Sequence, residues 1–279
     1  MAFQASKKRE RKPAPPIGRG RPIVPNVGIE VWYSSQLNSV RVEMVKDYLE
    51  KIKDLSERPQ VEKFYAMDAG ITSIFETTLR SLQQRWGRIF ENFARKISPE
   101  FVDKCEKGAT DATLNSLKVA GLAAPTKAYN ENIKNTIEAS VSFNHTLITG
   151  LSEEFHERVH SAVMLSLTSP DPDKQGFKGI REEINKAGIE SRNRVKLITR
   201  DQTSKIYAAL SDERMEQNGV LEFEWLHSHA GEVPRKSHLE KDGEIFKLND
   251  PRLWEGKKSD QGPPGWAINC RCRKIPVIR

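Results

Sequence analysis

The sequence predicts an α+β fold, a predominantly helical N-terminal region followed by a small mixed α/β C-terminal domain. Three observations predict it. Apolar residues recur at three and four over most of residues 36–218, the spacing of one helix face. After Asn218-Gly219 the repeat shortens to two, as on a strand. A Pro/Gly-rich stretch at 249–265 then separates two short strand-like runs, which marks a loop within a small unit. The 279 residues suffice for one large or two ordinary domains with a real core.

The order along the chain follows. Residues 1–25 hold seven Lys/Arg against one Glu, and five prolines, without an apolar period. They carry +6 of the formal +7, so a disordered basic arm is expected over 1–27. Its cations are Lys7, Lys8, Arg9, Arg11, Lys12, Arg19 and Arg21. They are read either as a solvated tail or as contacts to DNA or an acidic surface. A helical region over 28–190 comes next. Val42, Val45, Leu49 and Ile52 form one stripe, and Phe64, Ile71, Phe75, Leu79, Leu82, Trp86, Phe90 and Phe93 a longer one. Ser98-Pro99-Glu100 has the form of a helix start, with Cys105 as a core thiol behind it. Gly121, Pro125 and Gly150 punctuate, and 169–176 is a turn cluster.

A domain over 191–279 closes the chain. Its first helix begins near Ser191 on the stripe Val195, Ile198, Gln202, Ile206, Ala209. The polar Gln202 in that seam should find a hydrogen-bond partner. Asn218-Gly219 suits a left-handed cap. Beyond it Leu221, Phe223, Trp225, His227 and His229 share one strand face, and Asp242-Gly243 signals a tight turn. In the final run Ile268, Cys270 and Cys272 fall on one face, Arg271 and Arg273 on the other.

Composition excludes several classes. The sequence has no run of about 18 apolar residues and no apolar segment behind the basic N-terminus, so neither a membrane span nor a secretory signal is expected. Three cysteines cannot build a disulfide framework and are read as thiols of a protein made in the cytosol. No Gly-rich phosphate loop, G-x-S-x-G elbow or C-x-x-C pair occurs.

Two clusters can carry chemistry. His156-Glu157-Arg158-Val159-His160 satisfies H-E-x-x-H, in which two imidazoles hold zinc and the glutamate polarises water. This gives an alternative function, a zinc-dependent hydrolase. Against it, the helix is an ordinary amphipathic one stepping through Leu151, Phe155, Val159 and Val163, and no spacing names a third ligand. The second cluster gathers His238, Cys270, Cys272 and His227. Soft thiols and borderline imidazoles suit a structural zinc site, and a small loop-rich domain gains from a staple. Plain core thiols fit the same pattern. Nucleophilic catalysis by Cys270 or Cys272 with His238 finds no supporting spacing.

The residues around the second cluster also form a family signature. Trp225-Leu226-His227-Ser228, Pro234-Arg235-Lys236-Ser237-His238, Asp242-Gly243-Glu244-Ile245-Phe246, Pro264-Gly265 and Asn269-Cys270-Arg271-Cys272 resemble the phage Mu F-type head-morphogenesis domain of minor capsid proteins. Upstream, Ser191–Arg194, Leu197–Thr203 and Glu154–Val159 resemble helices of the same family, so the likeness covers about 145–279 of the chain. One departure is Gly231-Glu232, where family members often carry Asp. The resemblance implies a non-enzymatic minor capsid protein of a tailed bacteriophage, active at the portal vertex in head assembly and in DNA packaging or ejection. The implied partners are the portal protein, a major capsid or scaffolding protein and packaged DNA, with no membrane. The implied location is the virion, and the host cytoplasm during assembly.

Overall fold

A computed structural model describes residues 18–57, 69–169, 171, 176–229 and 233–279. Lys7, Lys8, Arg9, Arg11, Lys12 and Phe64 lie outside them. Among the described residues, strand β1 (Gly18–Arg19) precedes four long helices, α1 (Val27–Ser56), α2 (Ala69–Val119), α3 (Glu131–Thr168) and α4 (Gly176–Gln217). Strand β2 (Glu222–Leu226), the short helix α5 (Lys236–Glu240), β3 (Ile245–Lys247) and β4 (Arg273–Ile278) complete the fold, which is α+β.

Local chemistry starts and stops the helices. The Asn26 side chain accepts the Gly28 N–H at the start of α1, and Asn130 accepts the Ile133 N–H at the start of α3, so each satisfies an orphan donor. At the end of α4, Gly219 takes a left-handed φ of 71° and the Val220 N–H reaches the Met215 carbonyl, the expected glycine cap. The helices pack as a bundle, α3 between α2 and α4, and α1 against α4. Tyr33 ties three of them together: its ring stacks on Phe101 at 3.8 Å and its hydroxyl donates to Asn144 at 3.1 Å.

The sheet order is β1-β4-β2-β3, with every pairing antiparallel. Phe223 and Trp225 point inward from β2 while Glu222 and Glu224 do not, the alternation that period two demands. A second core forms here from Phe223, Trp225, Phe246, Leu253, Met215, Leu114 and Leu117, beside Cys270 and Cys272. Two ionic contacts lie here, one seating the sheet unit on α4 and one joining α4 to α2. Lys274 of β4, buried, meets Asp212 of α4 and the Ala208 carbonyl. Arg214 of α4, 1% exposed, holds Glu106 and Thr110 of α2 and the Ala128 carbonyl.

Five sequence expectations need correction. Residues 18–26 are ordered, not part of a disordered arm. Gly18 and Arg19 pair with β4, Gly20 and Ile23 donate to Pro276 and Lys274, and Ile23 is buried. No helix starts at Ser98: α2 runs unbroken through Pro99. An interior proline costs roughly 3 kcal/mol, but Pro99 faces solvent while Ile97, Phe101 and Val102 are buried. On α1 the buried face is Tyr33, Leu37, Arg41, Met44, Tyr48 and Ile52, so Val42 is exposed. Arg41 takes the inner position because its guanidinium donates to the Gly188 carbonyl at 3.0 Å. Residue 191 lies inside α4, and the two cores divide between Leu210 and Met215. Finally, Ile268 is exposed, because Asn269 at φ 59° breaks the alternation before Cys270.

Candidate metal centre

His238 is the buried residue of α5, and the loop holding Asp260 orients it. The Asp260 carboxylate accepts from Arg235 and from the Ser237 hydroxyl, each at 3.0 Å. Its backbone carbonyl lies 2.9 Å from His238 Nε2. A carbonyl only accepts, so Nε2 carries the ring proton and Nδ1 keeps its lone pair. That lone pair faces two sulfurs, Cys270 Sγ and Cys272 Sγ, both 3.6 Å away. All three ligand atoms lie within 4.8 Å of one another and all three residues are buried.

The two thiols come from a turn anchored on α4. Asp201 accepts the Asn269 N–H at 3.0 Å and pairs with Lys205 at 2.8 Å, which holds Asn269 in its left-handed conformation. Gly265 lies close against α4, where a methyl group would sit 3.2 Å from the Ser204 carbonyl oxygen. Gln202, the polar residue in the seam, donates to Asp201 at 3.4 Å.

The electrostatics separate the two sulfurs. A hydrogen bond from Cys272 is the main cause that lowers Cys270, assisted by the backbone N–H groups of Gly265 and Cys272. Cys272, the donor beside that charge, is pushed up, while the Ser228 N–H and the Trp225 indole act in the opposite sense. The Trp225 ring stands edge-on to His238 at 5.1 Å. Cys105, by contrast, is a lone thiol raised by burial, a core residue as expected.

Other predicted residues do not join the centre. His227 is buried nearby, but its Nδ1 accepts the His229 N–H at 3.0 Å. The neutral ring then carries its proton on Nε2, a donor with no free lone pair for a metal. His156 and His160 line a cavity of about 240 Å³ with Glu76, Arg80 and Gln83, and His156 Nδ1 is bound to the Tyr48 hydroxyl at 3.1 Å. Glu157 lines a different cavity with Lys186 and Glu190, so the H-E-x-x-H residues do not converge as zinc-peptidase chemistry requires. Among the described residues the one ligand trio of metal-binding spacing is His238, Cys270 and Cys272. Arg19 is spent on a two-pronged bond to Glu224, 2.6 and 2.7 Å. Arg21 stays exposed, with its backbone held by Ser116. Asp201, Asp260 and Trp225 shape the site with no spacing signal that announces the two acids; the inward period of β2 does place Trp225.

The arrangement is that of a helical bundle whose last helix carries a small sheet unit closed around a buried thiol–imidazole cluster. Residues 157–275 match the family described as Phage Mu protein F like protein. The match runs from the middle of α3 into β4 and includes all three residues of the trio. An uncharacterized protein of Haemophilus influenzae is 27% identical over 261 residues, which is 92% of this chain. The chain spans 55% of that relative's length. No solved structure matches the chain. Among the described residues no helix is long and apolar enough to cross a membrane.

Proposed function

We propose that this chain is a minor capsid protein of a tailed bacteriophage that works at the portal vertex, in head assembly and in the packaging or delivery of DNA. The observation that carries the reading is the family match over 157–275, which coincides with the sheet unit and the long helix beneath it. In this role the protein recognises partners and builds structure, and the buried trio serves architecture. Cys270 and Cys272 are 3% and 2% exposed, and the hollow that touches Cys272 holds about 20 Å³, room for roughly one water and no substrate.

The surface supports assembly. Trp254 and Trp266, 52% and 42% exposed, meet edge-to-face at 6.4 Å beside exposed Ile268. Exposed tryptophans of this kind anchor interfaces. Residues 233–279 hold eleven Lys/Arg against six Asp/Glu, which suits an acidic protein surface or DNA. The partners of the reading are the portal protein, a capsid or scaffolding protein and packaged DNA, and its place is the virion after assembly in the host cytoplasm.

Co-purification with the portal protein of the same phage tests it. Wild-type chain is expected to travel with portal oligomers, and Trp254→Ala/Trp266→Ala to lose that association while staying folded. Wild-type protein that elutes apart from portal at all salt concentrations would contradict the reading.

A further inference from the structure

Two sulfurs sit at the same 3.6 Å from His238 Nδ1, and all three ligand atoms lie within 4.8 Å of one another, the spacing of ligands around one ion. Zinc–sulfur bonds of about 2.3 Å and a zinc–nitrogen bond of about 2.0–2.1 Å, set at the tetrahedral angle, place nitrogen and sulfur about 3.6 Å apart. The surroundings agree. Cys270 and Cys272 are approached by the backbone N–H groups of Gly265, Cys272 and Ser228, donors that a metal-bound thiolate accepts and a neutral thiol uses poorly. The Asp260 carbonyl takes the far nitrogen of the same imidazole, the outer-shell contact that orients a ligating histidine.

We propose that His238 Nδ1, Cys270 Sγ and Cys272 Sγ bind one Zn²⁺ ion, a structural centre that fastens α5 to the turn before β4. Two thiolates and an imidazole are a soft set that selects zinc over magnesium or calcium. The fold has need of such a fastener. In the irregular stretch between β3 and β4 the buried apolar side chains besides the two cysteines are Leu253, Pro264 and Ala267, a thin core of the kind that metals brace. His227 stays outside the ligand set, because its tautomer is fixed by the His229 N–H. The inference rests on the architectural role given to the trio and is independent of the portal partner.

The test is elemental analysis of the full chain after reconstitution with zinc chloride and gel filtration. Wild type is expected to retain one zinc per chain, and His227→Ala and His156→Ala/His160→Ala to retain it too. Cys270→Ser/Cys272→Ser and His238→Ala are expected to fall at least tenfold. Zinc kept by the cysteine variant, or lost from the His227 variant, overturns the ligand set. Because the cysteine variant can misfold, cobalt(II) is also loaded into wild type. Thiolate-to-cobalt charge-transfer absorption with intense tetrahedral bands is expected, and a spectrum without thiolate bands overturns the proposal. Zinc binding without portal binding would sink the assembly reading alone; portal binding by a chain that takes up no zinc would sink this inference alone.

Discussion

Replacing Arg214 with methionine removes the guanidinium that locks α4 to α2 and to the 120–130 connection. Arg214 donates to Glu106 at 2.9 Å, Thr110 at 2.9 Å, the Ala128 carbonyl at 2.6 Å and Gln217 at 3.1 Å. Both members of the ion pair are buried, 1% and 4% exposed. Methionine replaces the apolar stem of the side chain but leaves the Glu106 carboxylate in the core without its cation. Breaking a buried pair from one side costs about 3–5 kcal/mol, and the lost bond to Ala128 adds about 1 kcal/mol. With an m-value of about 3 kcal/mol/M, the urea midpoint should fall by roughly 1–2 M. The companion Arg214→Met/Glu106→Leu removes both charges, and its midpoint should recover a large part of that loss. Equilibrium urea unfolding followed by far-ultraviolet circular dichroism gives both numbers. A single variant within about 1 kcal/mol of wild type, or a double variant no better than the single, would refute the assignment of Arg214 and Glu106 as a mutually dependent buried pair.

Two further outcomes are expected. A methyl group at Gly18 would overlap the Ala120 carbonyl and one at Gly20 the Ser116 hydroxyl, so Gly18→Ala/Gly20→Ala should detach β1 from β4 at a local cost of about 1–3 kcal/mol. Trypsin should then cut faster after Arg19, whose following residue is Gly20, while thermal unfolding of the bundle is unchanged; equal cleavage rates would show that the strand does not need glycine. Burial, and then His160, lower His156 below its ordinary value of 6.5, so the folded state binds this proton less readily than the unfolded chain. Its effect on stability is nil well above 6.5 and becomes a penalty as pH falls through 6.5 toward the lowered value. His156→Gln should therefore lose less Tm than wild type between about pH 7.5 and pH 5.5, and equal losses would rule out His156 as a source of acid lability.

Much of this structure is legible in the residues, for reasons that differ by element. The inward positions of β2 follow from the alternation of Phe223 and Trp225 with Glu222 and Glu224, and the end of α4 from Asn218-Gly219. His238, Cys270 and Cys272 could be grouped because every second residue before β4 faces one way and thiols suit an interior. What stayed hidden depends on contacts distant in the chain. Pro99 reads as a helix start locally, yet burial of Ile97, Phe101 and Val102 on either side carries the helix through it. Arg41 displaces Val42 from the inner face because a carbonyl of α4, at Gly188, lies within its reach. Arg19 reads as free cationic charge until β1 pairs with β4 and brings it to Glu224. His227 alternates with Trp225 as a ligand would, but the local turn to His229 spends its Nδ1. Asp201 and Asp260, which orient the thiol turn and the imidazole, are 68 and 22 residues distant from the groups they hold.

X-ray absorption at the zinc edge of the reconstituted full-length chain examines the proposed centre most directly. A trio of one imidazole and two thiolates predicts two sulfur scatterers at about 2.3 Å and a nitrogen at about 2.0–2.1 Å. A shell of nitrogen and oxygen alone would place the metal elsewhere, at His156 and His160 for instance, and would contradict the account.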